Sequence, residues 1–465
     1  MIWPWPEAAP ETAPALRFGG QSMSYGALAA AARGCAAVLA AQGVQRGDRV
    51  AFLGANHPAQ LVLLFACARL GAMLLPLNWR LAAPELGFIL ADATPRLLLA
   101  TRECLPTAQA LRADALDAEA AWPDAPHTAL GAPADAVLLV YTSGTTGRPK
   151  GAVLTQAALA ANAVHGVTMH GMTSTDRVLT VLPLFHVGGL NIQTTPALSV
   201  GAEVLLHPRF DATSFFTTCA EARPTLTLLV PAVMQALVAH PAWPGANLAS
   251  LRAIGAGSSD VPLPLIEAFH ARGIPVQQVY GATETAPIAL WQTREEALAA
   301  PGSLGRPGGA VEAKLSSAGE ILVRGPNMLS HYWPNQPALD ADGWFATGDV
   351  GRVDADGRWW FTDRLKHLII SGGENIYPAE VERVLREAPG VAEGAVCGRP
   401  DPRWGEVPVA VVVPGPGFAP EAVLAHFQGR LARFKQPHAV VAVPALPRTA
   451  LGKVELQALR KLAAG

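Results

Sequence analysis

The chain has 465 residues, half of them apolar and 15% charged, with a net charge of −2. That length is too great for one compact domain and the composition ample for a large core, while near-neutrality leaves no basic footprint for nucleic acid. Cys35, Cys67, Cys104, Cys219 and Cys397 lack metal spacing or paired clustering, and the N-terminus has no basic stretch before an apolar run, so a cytoplasmic protein without a membrane span is expected.

In chain order, residues 49–54 read as a strand, 58–70 as a helix and 72–77 as a strand. A helix from Pro84 and a strand over 96–100 follow, then a strand-like segment over 136–140. Further strands are expected at 178–182, 202–206, 225–230, 251–255 and 276–280, with helical stretches between them. Strands alternating with helices of this length argue for an α/β fold of largely parallel sheets flanked by helices. Near Gly319 the character changes to short strands with Asp342-Gly and Asp356-Gly turn signals, a β section. The last hundred or so residues carry a mixed α+β pattern. A helix from Pro378 has Val381, Val384, Leu385 and Ala388 as its apolar stripe, strands lie at 394–397 and 407–413, and a second helix spans 420–434. The domain boundary falls at Leu365–Lys366, giving a large domain over 1–365 and a small one over 366–465.

The chemistry begins at Tyr141-Thr-Ser-Gly-Thr-Thr-Gly-Arg-Pro-Lys150-Gly151. Glycines let the backbone turn its N–H groups into one concavity, hydroxyls add donors, and lysine adds a point charge, which together suit a phosphate. Pro149 precedes the lysine and apolar residues follow it, so the loop joins two strands instead of opening a helix in the Walker manner. An exposed Gly/Thr turn is the plain alternative.

This run resembles the phosphate loop of the adenylate-forming superfamily, which includes acyl-CoA synthetases, luciferases and the adenylation domains of peptide synthetases. Four further segments resemble that family in its order: Tyr280-Gly-Ala-Thr-Glu-Thr285, Thr347-Gly-Asp349, Asp363 to Pro378 with its Ser371-Gly-Gly-Glu core, and Pro447-Arg-Thr-Ala-Leu-Gly-Lys453. The resemblance covers nearly the whole chain and implies the acyl-CoA synthetase branch. That branch joins a small-molecule carboxylic acid to coenzyme A through an acyl-adenylate, using ATP and Mg²⁺.

The implied roles are specific. Thr142, Ser143, Gly144, Thr145, Thr146 and Lys150 hold the β- and γ-phosphates. Gly255-Ala256-Gly257, Tyr280 and Gly281 form the adenine slot. Glu284 holds Mg²⁺, a hard cation for which one carboxylate plus phosphate oxygens suffices, and Thr283 donates to the α-phosphate. Asp349 takes the ribose hydroxyls with Arg364 as a second contact. Lys453 is the catalytic lysine, offsetting charge as a carboxylate attacks a phosphate.

On the acid side, His186 resembles the gating residue, with Val187, Gly188, Gly281 and Ala286 beside the substrate. Amino-acid-activating relatives place Asp where Val187 stands, and a buried ammonium needs such a partner, so an amino acid is disfavoured. The acid is expected to be medium-chain fatty or aromatic. Gly372 and Gly373 would admit the pantetheine arm, with Trp404 and Phe434-Lys435 at the adenine end of CoA. Gln156, Gln436 and His438 depart from the family's usual residues, and the last two weaken the CoA phosphate contact. Lys366 occupies the position of the hinge about which the small domain rotates. A carrier-protein-loading enzyme and an inactive binding protein are the alternatives, and a monomer or homodimer is expected.

Overall fold

The computed structural model describes residues 2, 5–125, 131–142, 149–257, 261–371, 374–431, 433–449 and 452–464, the side chains of Lys366, Glu374 and Asn375 excepted. Two compact units emerge. The first comprises Met1–Ala313, Val323–Phe345 and Ala355–Trp359, and the second Lys314–Leu322, Ala346–Asp354 and Trp360–Gly465. The boundary expected at Leu365–Lys366 lies inside the second unit, shortly after the chain enters it for the last time.

The first unit holds two large sheets. In one, Arg177–Thr180, Glu203–Leu206, Leu226–Leu229, Ala253–Gly257 and Val276–Tyr280 run parallel, in the expected chain positions to within a few residues. Their near-continuous apolar runs suit strands covered on both faces, and their core includes Phe215, Leu229, Met234, Ile254, Phe269 and Val276. One edge comes from far away in sequence. Pro14–Phe18 pairs in parallel with Glu203–Leu206 and turns back through Gly19 and Gly20 into Gln21–Ser24. No sequence signal foretold that partner, because the pairing spans nearly two hundred residues.

The other sheet places Arg49–Leu53 between Met73–Leu77 and Leu97–Ala100, all parallel. The apolar helix Pro58–Leu70 precedes Met73–Leu77, and all but its first residue are buried. Two antiparallel strands, Ala136–Thr142 and Lys150–Thr155, extend this sheet, followed by the short His331–Tyr332.

In the second unit, Val391–Asp401 and Gly405–Pro414 form a long antiparallel pair, joined by Ile369–Ser371 and by a parallel strand at Ala439–Ala442. Helix Pro378–Leu385 buries Val381, Val384 and Leu385, and Ala388 just past its end is buried too, as the stripe required. The second helix is shorter than expected. It spans Pro420–His426, a left-handed Gly429 follows (φ +72°), and the 3₁₀ turn Arg433–Lys435 comes after it. Among the described residues no helix is long and apolar enough to cross a membrane.

Candidate active site

The strands flanking the expected phosphate loop pair antiparallel with Thr142 opposite Lys150, so the loop does join two strands. Ser143, Gly144, Thr145 and Thr146 lie outside the described residues. Lys150 opens the returning strand, and its ammonium lies 5.3 Å from the centre of the Tyr332 ring, a cation–π contact. The Tyr332 hydroxyl in turn donates to Glu284 Oε1 at 2.7 Å. Lys150 and Glu284, far apart in sequence, are thus linked through one tyrosine.

The backbone makes the same link. Leu329 N–H donates to the Glu284 carbonyl at 2.8 Å, Ser330 N–H to the Val153 carbonyl at 2.9 Å, and Trp333 N–H to the Gly151 carbonyl at 2.7 Å. Residues 329–333 therefore tie the Glu284 turn to the strand leaving the phosphate loop. Burial, then the neighbouring Glu284 carboxylate, pushes the Tyr332 hydroxyl above its usual pKa, so it stays a proton donor. Sequence reasoning passed over Tyr332, whose Ser-His-Tyr-Trp-Pro surroundings carry no chemical signature of their own.

Glu284 sits in the 3₁₀ turn Thr283–Thr285, which follows strand Val276–Tyr280. The turn is held locally: Ala282 N–H donates to Thr285 Oγ1, and that hydroxyl donates to the Ala282 carbonyl, both at 3.0 Å. Gly281 is required here, because a Cβ would stand 1.8 Å from the Pro287 carbonyl oxygen. Ala286 closes the turn fully buried, with φ +65°. Apart from Tyr332, no described group hydrogen-bonds the Glu284 carboxylate. Among the described residues no cluster of three or more His, Cys, Asp or Glu could hold a metal. A single anchored carboxylate fits Mg²⁺ completing its shell with phosphate and water oxygens, and fits poorly with a cation needing several protein ligands.

Gly255, Ala256 and Gly257 end the buried strand Ala253–Gly257, which runs parallel to the strand carrying Tyr280 with Gly257 opposite Val279. Beneath Gly255 lie the Leu228 side chain and a hydrogen-bonded chain of Gln193, His170 and Gln277. His186 is half-buried with its ring 4.5 Å from that of Phe185, Val187 is buried beside it, and Gly188 follows in the short helical turn Val187–Gly189. A single π turn, Leu190–Thr194, comes next and was not foreseen, since nothing in its residue types distinguishes it from an α-helix.

In the second unit, buried Asp349 takes the Arg364 guanidinium at 2.6 Å. The two residues expected to approach the ribose separately are therefore paired with each other. Their turn is anchored by Thr347 Oγ1 on the Ile321 carbonyl and by Gly348 N–H on Glu320 Oε1. Lys366 lies in the 3₁₀ turn Leu365–His367. Gly372 and Gly373 lie outside the described residues, while the strands on either side pair with Ser371 opposite Glu374. Trp404 is 42% exposed, with the Arg403 guanidinium 4.7 Å from its ring centre, so it is no core residue. Phe434 is also exposed, and the Lys435 ammonium meets both Glu380 carboxylate oxygens at 2.8 Å. Lys453 follows left-handed Gly452 in a tight turn, where Thr449 N–H donates to the Lys453 carbonyl at 2.8 Å. Its side chain is exposed.

Residues 3–333 match the model of the AMP-binding enzyme family, and residues 380–453 match that of the AMP-binding enzyme C-terminal domain. The chain is 48% identical to an indoleacetate–CoA ligase of Aromatoleum aromaticum, over 97% of this chain and 95% of the relative. It is 42% identical to a feruloyl-CoA synthase of an Amycolatopsis species, over 97% and 96%. Its structure resembles Bacillus subtilis o-succinylbenzoate CoA synthetase bound to an acyl-adenylate intermediate, with TM-score 0.89 and 33% identity over 99% of this chain and 96% of the other. It also resembles the same enzyme bound to ATP and magnesium, with TM-score 0.88 and 32% identity over 99% and 98%. The five motifs, the sheets that carry them and these matches lead to one conclusion: the chain belongs to the AMP-binding enzyme family, within the adenylate-forming acyl-CoA ligases.

Proposed function

We propose that this protein is an ATP-dependent carboxylic acid–CoA ligase acting on an aromatic acid. The observation carrying this reading is the likeness to the indoleacetate and feruloyl ligases over 97% of the chain, far closer than a shared fold requires. The enzyme first forms an acyl-adenylate and pyrophosphate from the acid and ATP. It then transfers the acyl group to the CoA thiol and releases AMP.

Each site residue has a part in this scheme. Lys150, with Thr142, Ser143, Gly144, Thr145 and Thr146, receives the terminal phosphates. Gly255 to Gly257, Tyr280 and Gly281 hold the adenine, and Asp349 with Arg364 the ribose. Glu284 would hold Mg²⁺, which when bound neutralises phosphate charge, while Thr283 donates to the α-phosphate. Lys453 offsets charge in the transition state of adenylation. His186, Val187, Gly188, Gly281 and Ala286 border the acid. Val187 is buried and apolar, which disfavours an amino acid whose ammonium would lie unpaired. Gly372, Gly373 and Trp404 receive CoA.

Lys453 and the Gly372-Gly373 segment serve different half-reactions from different parts of residues 366–465. That small domain, mobile relative to residues 1–365, turns about Lys366 between the two steps. We place the enzyme in the cytoplasm, as a monomer or homodimer without nucleic-acid partners. Its five free thiols support that compartment.

Incubation with ATP, Mg²⁺, CoA and a panel of acids, followed by mass spectrometry, tests the reading. Aryl-acyl-CoA thioesters are expected. Thioester formed only on a carrier protein, or exchange stimulated only by amino acids, would overturn it.

A further inference from the structure

The turn that presents His186 is held from outside its own sheet. Strand Arg177–Thr180 leads into Pro183–His186, where His186 N–H donates to the Pro183 carbonyl at 3.3 Å. Leu184, a central residue of that turn, is fully buried, so its backbone groups need partners. Both are met by side chains that follow strand Arg49–Leu53 of the other sheet. Leu184 N–H donates to Asn56 Oδ1 at 2.8 Å, and the Leu184 carbonyl accepts from Gln60 Nε2 at 2.9 Å.

Asn56 holds more than the turn. Its Nδ2 gives one hydrogen to the Leu182 carbonyl at 2.9 Å and the other to the His207 carbonyl at 3.0 Å. Leu182 and His207 lie just past the ends of the paired strands Arg177–Thr180 and Glu203–Leu206. Asn56 N–H donates to the Pro208 carbonyl at 3.1 Å, which ties its backbone to the second of these segments. With Asn56 4% and Gln60 1% exposed, water has little access to take over these bonds.

Local capping does not account for the amide. Helix Pro58–Leu70 is capped by His57, whose Nδ1 accepts from Ala59 N–H at 3.2 Å. Every side-chain bond of Asn56 instead crosses to residues 182–207. The turn is also closed from within its own segment by Gly189, where a Cβ would stand 2.3 Å from the Pro183 carbonyl oxygen.

We propose that Asn56 is a positioning residue for the ligase reaction, fixing the Pro183–His186 turn and so the place from which His186 meets the acid. Gln60 assists through Leu184. The inference rests on the reading of His186 as a residue bordering the acid. Displacing such a group by about 1 Å can cost about a hundredfold in rate.

A double-mutant cycle with His186 tests it. The readout is acid-dependent ATP–pyrophosphate exchange with the best-converted acid of the panel, referred to enzyme that binds ATP. Asn56→Ala should lower kcat/KM for the acid by roughly tenfold to a hundredfold, with the KM for ATP unchanged. His186→Ala should lose at least as much. The double variant should stay within about twofold of His186→Ala alone, because Asn56 acts through the turn. Gln60→Met removes one bond at similar chain length and should shift kcat/KM the same way by a smaller factor. It carries the same cycle if Asn56→Ala does not fold. Losses that multiply in the double variant, or full rates in Asn56→Ala and Gln60→Met, would overturn the positioning role and leave the ligase reading standing. His186→Ala at full rate would overturn the reading of His186 and the positioning role together.

Discussion

The turn that presents Glu284 and the floor beneath Gly255 are carried by neighbouring parallel strands, yet they are built on opposite scales. The turn closes on itself within four residues, through Ala282 and Thr285, and its glycine is dictated by a carbonyl six residues away. The floor is assembled from His170, Gln193, Thr227, Gln277 and Gln292, which five different segments deliver to one point. The turn carries the proposed Mg²⁺ ligand, so changes on the nucleotide side should slow all acids alike, whereas changes in the floor should act first on stability.

The largest effect is expected at Lys453. Lys453→Ala should lower acid-dependent ATP–pyrophosphate exchange by about 10²–10³ while ATP binding persists, because the ammonium acts chiefly in the transition state. The loss should be the same for every acid in the panel. Near-normal exchange would remove Lys453 from the mechanism, and a loss that depended on the acid would break the division between the two regions.

Lys366→Pro divides the half-reactions instead of the regions. Proline fixes φ and removes an N–H, which restricts a hinge. Acyl-adenylate should still form, whereas thioester formation from preformed acyl-AMP in a single turnover should collapse. Equal thioester rates in variant and wild type would show that the hinge lies elsewhere.

The floor should announce itself in stability. Folded His170 has a pKa lowered to about 4 by burial, against 6.5 in the unfolded chain. As the pH falls below 6.5 the unfolded chain takes up the proton first. The contribution is therefore complete near neutrality and is lost on acidification, by about 2 kcal/mol between pH 7 and pH 5. Urea midpoints at the two pH values should show that loss in the wild type and a smaller one in His170→Gln. Identical losses would mean that the imidazole is not held neutral.

The smallest effect sharpens the nucleotide side. Tyr332→Phe keeps the ring against Lys150 but removes the donor to Glu284, so the Mg²⁺ concentration for half-maximal exchange should rise about tenfold. Mn²⁺ binding to the enzyme–ATP complex, followed by electron paramagnetic resonance, should weaken in parallel, while metal-free ATP binding stays unchanged. An unaltered metal requirement would reduce Tyr332 to packing.

Legibility followed the same scale as construction. Strand Val276–Tyr280 ended where its residue pattern ended, and the strands around the phosphate loop paired as Pro149 and the apolar residues after Lys150 implied. The apolar stripe of helix Pro378–Leu385 was buried as its spacing required. The helix expected over 420–434 stopped at His426, because a left-handed Gly429 suits a turn better than a helix interior and composition alone did not weigh that cost. Lys435 met Glu380, and Arg364 met Asp349, since a charge takes whichever partner the fold brings near.

By itself the amino-acid sequence determined the family and much of the order of strands and helices. Those features depend on neighbours a few positions away, where dihedral preference and spacing decide the outcome. Only the tertiary structure decided that Tyr332 joins Lys150 to Glu284, and that Pro14–Phe18 pairs with Glu203–Leu206. Among the described residues it also left one buried oxygen of Gln193 without a donor. Each of these depends on groups brought together across tens to hundreds of residues, and a hydrogen bond or ring contact across that span leaves no periodicity in the chain that makes it.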